Sequence, residues 1–266
     1  MKPRNHRNGK PDLPSGLFIT FEGTEGSGKT TQCRRLAQTL RAQGYQVLET
    51  REPGGTPLAE ALRRLLLSYS KTKSNNEIIT PECETSLILA ARSQHVAHVI
   101  RPALAKGMIV LCDRFFDSTL AYQGYGRHRD ITFLKHSHQF ATEGLIPHLT
   151  FLLYLPTQEG LARRKQAGHQ NRLDQESLDF HQRVRRGFLA LAKQHPQRIQ
   201  KLDARQSPDI LNRLIASIMS PLIQALPSTC LAQTIHQSSR PIKRVQTNKG
   251  VPQHGISRSR RASTTN

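Results

Sequence analysis

The sequence lacks the features that would place it in a membrane, in a secretory pathway or around a structural zinc ion. No window approaches the roughly 18 consecutive apolar residues of a membrane span, and no apolar stretch follows the basic N-terminus, which argues against a secretory signal. The four cysteines lie far apart without a C-x-x-C pair, at Cys33, Cys83, Cys112 and Cys230. This spacing argues against a zinc site and a disulfide scaffold, and it predicts reduced thiols in the cytoplasm.

Acidic residues are also scarce. There are 19 Asp and Glu against 39 Lys and Arg, which gives a net charge of +20. Residues 1–16 carry +3, and residues 227–266 carry +7 because they hold seven basic residues and no acid. The other half of the charge lies in residues 17–226, as expected of a domain that handles an anionic substrate.

Neither end of the chain has a helical or strand period. We therefore predict a flexible basic leader over residues 1–16, one domain over residues 17–226 and a disordered basic tail over residues 227–266. The tail has no Trp, Tyr or Phe to stack on bases, so it predicts only weak, non-specific attraction to nucleic acid.

A glycine-rich loop near the N-terminus has the spacing of a phosphate-binding site. An apolar run leads into Gly23-x4-Gly28-Lys29-Thr30 and an amphipathic segment follows, which is the strand–loop–helix context that this motif requires. Its glycines let successive backbone N–H groups point at phosphate oxygens. The alternative is a glycine turn followed by a chance lysine, and four fixed positions in this context argue against it. The residues predicted to bind a nucleoside triphosphate are Gly23, Thr24, Glu25, Gly26, Ser27, Gly28, Lys29, Thr30 and Thr31.

Strands alternate with helices over residues 17–226, which predicts a three-layer α/β fold of the P-loop NTPase type: a five-stranded parallel sheet flanked by helices, with a short lid. The predicted strands cover residues 18–22, 46–50, 108–112, 150–155 and 199–202. The predicted helices cover residues 29–43, 58–67, 81–105, 117–143 with a break at 124–126, 158–166, 176–194 and 208–226. Ligands of such sheets bind at the carboxyl ends of the strands, so residues 23–30, 51–56 and 113–114 are expected to converge.

Two groups of side chains predict chemistry at that edge. Asp113 ends an apolar strand, and an aspartate in this place, with the Thr30 hydroxyl, holds Mg²⁺ in phosphate-loop enzymes. A short, Gly-containing segment before the helix at residue 176 is rich in cations that could close over a bound triphosphate as a lid. The alternative is a solvated basic helix end. These cations are Arg163, Arg164, Lys165 and Arg172.

Further motifs indicate which kind of phosphate-loop protein this is. No N-K-x-D guanine signature is present, whereas two specific blocks are: Arg51-Glu52-Pro53-Gly54-Gly55-Thr56 and Ala121-Tyr122-Gln123-Gly124. With the glycine loop from Phe21 to Gln32, these blocks resemble the bacterial thymidylate (dTMP) kinases over about residues 17–210. Further matches are Ala90-Ala91-Arg92, Asp113-Arg114-Phe115, Ser118-Thr119, Arg172 and Gln175-Glu176-Ser177.

The resemblance implies transfer of the γ-phosphoryl group of ATP to dTMP, with Mg²⁺ held by Thr30 and Asp113. It implies that Lys29 and the loop amides bind ATP, and that Arg51 and Arg114 grip the acceptor phosphate through their planar forks. Glu25 matches a carboxylate near the sugar 3′-hydroxyl, and Tyr122 would pack on the sugar or serve as a core residue. The residues that the resemblance places around the base are Ile88, Arg92, Thr119 and Gln123.

The resemblance also implies a set of catalytic residues. The variable positions of the glycine loop hold no arginine, and family members of this kind take their catalytic arginines from the lid. Arg172 is the preferred candidate because it precedes Gln-Glu-Ser. The full catalytic set is Lys29, Asp113, Arg114, Arg163, Arg164 and Arg172.

The sequence departs from the family in two places. Ile88 stands where a phenylalanine usually stacks on thymine, which removes a ring–ring contact of roughly 0.5–1.5 kcal/mol and leaves strict thymine preference open. Asn171 stands where family members commonly have an acidic residue directly before the lid arginine. Two alternatives stay open: another nucleoside monophosphate or deoxynucleoside kinase, and a nucleotide-gated nucleic-acid-binding switch, suggested by the arginines at residues 258–261. Family members are homodimers, and the apolar face of the predicted helix over residues 81–105 permits pairing of two copies.

Overall fold

The first strand, β1 (Leu17–Glu22), lies at the centre of a five-stranded parallel sheet in the computed structural model, which describes residues 16–68, 78–168 and 171–226. The other strands are β2 (Val47–Arg51), β3 (Ile109–Asp113), β4 (Leu149–Tyr154) and β5 (Ile199–Asp203). The order across the sheet is β2-β3-β1-β4-β5, and the four pairings between these strands are parallel. All six residues of β1 are buried, as expected of a strand covered on both faces. The predicted five-stranded parallel sheet is confirmed.

Helices cover both faces of this sheet. Successive side chains of β1 point to opposite faces, so that Phe18 packs with Phe115 and Phe180 in one core, while Ile19 and Phe21 belong to a second core. The helices are α1 (Lys29–Ala42), α2 (Pro57–Ser68), α3 (Pro81–His95), α4 (Arg101–Ala105), α5 (Phe116–Thr119), α6 (Ile131–Thr142), α7 (Thr157–Gln166), α8 (Leu178–Gln194) and α9 (Pro208–Gln224).

Two predicted helices differ in detail from the structure. The helix predicted over residues 81–105 consists of α3 and α4 joined by a π-helical segment, Val96–Ile100. The predicted break at residues 124–126 is wrong, because these residues belong to a π-helical segment, Leu120–Gly126, and the interruption follows at residues 127–130. Gly126 serves packing rather than a turn: a Cβ atom on it would lie 2.8 Å from the Phe180 ring.

The cation-rich segment predicted as a lid begins inside the helix predicted over residues 158–166 and ends in a short helix that the sequence does not predict. Arg163, Arg164 and Lys165 lie in the last turn of α7, and Arg172 begins a 3₁₀ helix, Arg172–Gln175. The leader up to residue 15 and the tail over residues 227–266 lie outside the described residues. No helix among those that the structure describes is long and apolar enough to cross a membrane.

Candidate active site

A cleft of about 840 Å³ opens at the carboxyl edge of the sheet. Strand register aligns its floor, since Asp113 at the end of β3 is level with Phe21 of β1 on one side and Arg51 of β2 on the other. The predicted convergence of the three strand ends is therefore confirmed. The predicted site residues that line the cleft are Glu25, Gly26, Gly28, Lys29, Thr30, Thr31, Arg51, Ile88, Arg92, Asp113, Arg114, Thr119, Tyr122, Gln123, Arg163 and Arg164.

The glycine loop wraps the start of α1. Gly26 has a φ of +69°, and a side chain there would collide with the backbone of Gly160 in α7. Gly28 precedes α1 and has no side chain with which to cap it, so the N–H groups of the first turn are left for an anion. Thr24 and Ser27 are buried within the loop, and Gly23 at its start has a φ of +140°.

Lys29 lies folded into this loop. Its ammonium donates to the Thr24 carbonyl at 2.8 Å and to the Ser27 hydroxyl at 3.3 Å. Burial, together with the nearby Arg114 charge, lowers the pKa of Lys29 to about 8 despite three neighbouring carboxylates. The group is a desolvated cation beside free backbone N–H groups, which suits it to phosphate oxygens.

Thr30 and Asp113 face each other across the cleft floor. The Thr30 hydroxyl donates to the Asp113 carboxylate. Hydroxyl and carboxylate oxygens are ligands that Mg²⁺ prefers, and this ion is commonly held by only one or two protein groups plus phosphate oxygens. The donor set therefore fits Mg²⁺. Among the described residues there is no cluster of three or more His, Cys, Asp or Glu that could enclose a metal ion.

Glu25 is held by a cation and a phenol. Its Oε1 accepts from the Arg114 guanidinium at 3.1 Å and from the Tyr122 hydroxyl at 2.5 Å. Burial would raise the pKa of Glu25, but the charges of Arg114 and Lys29 outweigh it and the pKa lies below its usual value. Arg114 has a φ of +70°, unusual for a residue with a side chain, and also donates to the Gly23 carbonyl. Arg114 thus joins the end of β3 to the glycine loop.

The far wall of the cleft comes from α3. Ile88 and Arg92 are four residues apart and both face inward. The Arg92 Nε donates to the buried Glu52 carboxylate at 2.7 Å, and its Nη2 donates to the Phe115 carbonyl. Its Nη1 is buried without a hydrogen-bond partner among the described residues, which leaves a donor for a ligand in this wall.

Thr119 and Arg51 complete the rim. The Thr119 hydroxyl, at the end of α5, is buried and also finds no partner in the described part of the chain. Arg51, at the end of β2, is exposed and contacts the Glu60 carboxylate at 3.2 Å. A surface ion pair of this kind is weak enough to be exchanged for a phosphate.

The lid arginines contact protein groups instead of the cleft centre. Arg163 donates to the Ala204 carbonyl at 2.8 Å, and Arg164 pairs with Asp174. Arg172 is not among the residues that line the cleft, and its Nη2 lies 2.6 Å from the Glu84 carboxylate. Its assignment as the preferred catalytic arginine stays a prediction.

Sequence reasoning assigned no role to several buried ionisable groups, among them Glu22, Glu52, Glu84 and His181. The Glu22 carboxylate accepts from the backbone N–H of Phe115 and the hydroxyl of Ser118, and burial followed by the Asp117 charge raises its pKa to about 7. His181 of α8 lies 3.7 Å from Glu25. The only available signal was an acid or histidine among apolar neighbours, which does not identify a partner.

Comparisons with known proteins agree with this geometry. The thymidylate kinase family model matches residues 21–215. A thymidylate kinase from Thermomicrobium roseum is 53% identical over 195 residues, which are 73% of this chain and 90% of that protein. One from Carboxydothermus hydrogenoformans is 52% identical over 194 residues, covering 73% and 92%. The crystal structure of thymidylate kinase from Ehrlichia chaffeensis superposes with a TM-score of 0.61 at 31% identity, covering 78% of this chain and all of that one.

Proposed function

The chain belongs to the thymidylate kinase family, and we propose that it transfers the γ-phosphoryl group of ATP to dTMP, giving dTDP and ADP. The observation that carries this proposal is that one cleft is lined by Lys29, the cation proposed for ATP, and also by the three arginines proposed for dTMP. These arginines are Arg51, Arg92 and Arg114. A donor and an acceptor, both polyanions, can meet there only if cations neutralise their charge.

On the donor side, Lys29 and the amides of the glycine loop bind the phosphates of ATP. When ATP binds, the Lys29 ammonium gives up its hydrogen bonds to Thr24 and Ser27 and donates to phosphate oxygens instead. Thr30 and Asp113 would hold Mg²⁺, which, when bound, neutralises charge on the phosphates. The two side chains already contact each other, so little rearrangement is needed to direct their oxygens at one ion.

On the acceptor side, Arg51 and Arg114 orient the monophosphate so that one of its oxygens attacks the γ-phosphorus while the bond to the β-γ bridging oxygen breaks. Glu25, fixed by Tyr122, accepts from the sugar 3′-hydroxyl. Ile88 forms an apolar wall beside the base, and Arg92 offers a base carbonyl its Nη1, which has no partner among the described residues. Thr119 and Gln123 complete the base pocket. The lid arginines, Arg163, Arg164 and Arg172, stabilise charge on the transferred group after closure.

A substrate panel tests this function. ADP release is measured with ATP and, in turn, dTMP, dUMP, dCMP, dAMP and thymidine as acceptor. We expect dTMP to give the highest kcat/KM, with dUMP about tenfold lower because it lacks one methyl group in an apolar pocket. A higher kcat/KM for dCMP or thymidine would instead identify another nucleoside monophosphate or deoxynucleoside kinase.

We further propose that two copies pair as a homodimer. The apolar face of the 81–105 segment is filled by the chain's own core, where Ala91, Val96 and Ile100 are buried. Large exposed apolar side chains lie instead on α6, where Phe133 is 59% and Phe140 90% exposed. Light scattering at micromolar concentration should give the mass of two chains for the wild-type protein. The double variant Phe133→Ser/Phe140→Ser should give the mass of one chain. A wild-type mass of one chain would contradict the pairing.

A cytoplasmic location and weak nucleic-acid attraction through the tail are proposed on sequence grounds. Three of the four cysteines, Cys33, Cys83 and Cys112, lie in the described residues and are free thiols there, as in a reducing compartment. The tail itself lies outside the described residues.

A further inference from the structure

The Glu84 carboxylate on α3 is buried beside the cleft, with its side chain 1% exposed. It lies one helical turn before Ile88 and two before Arg92, on the same face of α3. Its Oε1 accepts from the Gln123 amide at 2.7 Å and, at the longer distance of 3.3 Å, from the Arg127 Nε. Its Oε2 accepts from the guanidinium groups of Arg127 at 3.1 Å and Arg172 at 2.6 Å. The phosphoryl transfer proposed above assigns no role to this residue.

Two cations keep Glu84 ionised. Burial alone would raise the pKa of Glu84, but the hydrogen bonds and charges of Arg127 and the hydrogen bond from Arg172 outweigh burial, so the pKa lies below its usual value. An ionised carboxylate accepts hydrogen bonds and donates none.

This charge state determines the orientation of Gln123. An amide presents either its nitrogen or its oxygen to a neighbour, and an acceptor-only neighbour selects the nitrogen. The Gln123 Nε2 therefore faces Glu84, and the carbonyl oxygen Oε1 is directed away from it. Gln123 lines the cleft, and no residue in the described part of the chain donates a hydrogen bond to this oxygen.

An outward carbonyl oxygen discriminates between pyrimidine bases. The ring N3 of thymine carries a hydrogen and donates, whereas the ring N3 of cytosine is an acceptor that repels another acceptor. We propose that Glu84 is a positioning residue for base selection, which turns the Gln123 amide so that its oxygen meets the donor edge of thymine. This inference rests on the proposed function and names the residue that would set its base preference.

The substitution Glu84→Gln reverses this orientation while keeping the shape of the side chain. Two arginine donors face the position of Oε2, the Arg127 Nη2 at 3.1 Å and the Arg172 Nη2 at 2.6 Å, whereas only one in the described part of the chain, the Arg127 Nε at 3.3 Å, faces that of Oε1. The one remaining oxygen therefore stays at the Oε2 position. The new amide nitrogen then faces Gln123, whose amide must turn over and offer its own nitrogen to the base. The preference for thymine over cytosine should therefore weaken, because an amide nitrogen can donate to the ring N3 of cytosine.

The experiment measures kcat and KM for dTMP and for dCMP in each variant. In Glu84→Gln, the ratio of kcat/KM for dTMP to that for dCMP should fall about tenfold, mainly through the two KM values. The matched control is Glu82→Gln on the same helix, because the Glu82 side chain is exposed and contacts Arg129 outside the cleft. This control should keep the wild-type ratio. In a Gln123→Ala background, Glu84→Gln should leave the ratio unchanged, because Glu84 acts through Gln123.

A merely structural Glu84 would lower kcat/KM for both nucleotides alike, and an unchanged ratio in Glu84→Gln would therefore overturn the proposal. Glu84→Asp keeps the negative charge facing both arginines but shortens its reach to Gln123, and it supplies the ratio if Glu84→Gln does not fold. A wild-type enzyme without dTMP-dependent ADP release would refute the proposed function. A wild-type enzyme that prefers dTMP, with an unchanged ratio in both variants, would refute only the role of Glu84.

Discussion

Lys29→Ala is expected to lower kcat/KM for ATP by at least about 10³-fold, because no other ammonium lines the cleft among the described residues. The variant loses the cation that neutralises charge at the β- and γ-phosphates, while the backbone N–H groups of the loop stay in place. A steady-state assay of ADP release over a range of ATP concentrations measures this loss.

The fold should survive the Lys29→Ala change. Burial depresses the pKa of Lys29 to about 8 in the folded chain, below its unfolded value of 10.5, so the folded state holds this proton less tightly at pH 7. Removing the ammonium also removes the free-energy cost of burying this charge, which offsets the loss of its hydrogen bonds to Thr24 and Ser27. The melting temperature should stay within about 4 °C. Lys201→Ala, an exposed change on β5, serves as the control. Near-normal turnover in Lys29→Ala would refute the assignment.

The same pKa predicts a pH profile. In the free enzyme Lys29 loses its proton as the pH rises through about 8, and only the protonated form binds phosphate well. The kcat/KM for ATP should therefore fall above about pH 8, whereas kcat should hold because bound phosphates keep the lysine protonated. Arginine keeps its proton over this pH range, so the fall in kcat/KM above about pH 8 should disappear in Lys29→Arg. The same fall in that variant would show that another group titrates.

The sheet and the rim of the cleft could be predicted from sequence because both depend on local signals. Strands of buried apolar residues, a glycine loop and polar residues immediately after strands fix the order of elements and the edge at which they meet. Asp113 ends β3, Arg114 follows it directly and Lys29 comes after the loop that follows β1, so their convergence required no knowledge of packing. The topology rules for parallel sheets supplied the rest.

The partners of buried charges could not be predicted in this way. Glu84 accepts from residues 39 and 88 positions further along the chain, and no local pattern indicates which cations reach it. Arg172 was assigned to the lid from its position in the sequence, yet in the structure it shares that carboxylate with Arg127. The break predicted at Gly124 and Gly126 is wrong for a related reason. Both glycines pack closely against side chains of later helices, Gly124 against Ile131 and Gly126 against Phe180, whereas local sequence rules associate glycine with turns.

Arg114→Ala is expected to lower turnover by about 10³-fold or more, because the acceptor phosphate loses the cation that orients it toward the γ-phosphorus and neutralises its charge. The change should also lower the free energy of unfolding by up to about 3 kcal/mol, because it leaves the Glu25 carboxylate buried without its cation. Activity must therefore be compared at equal folded fraction, with turnover measured well below the melting temperature of each variant.

Arg198→Ala is the control that separates these two effects. The Arg198 side chain is 18% exposed against 21% for Arg114, and it pairs with Asp117, a carboxylate that is as buried as Glu25 or more so. Arg198 does not line the cleft. Both alanine variants should lose similar stability, but only Arg114→Ala should lose turnover. Arg114→Lys keeps a charge beside Glu25 without the planar fork, and its turnover should still fall about 10²-fold. Equal turnover in Arg114→Ala and Arg198→Ala would mean that Arg114 only holds Glu25 in place.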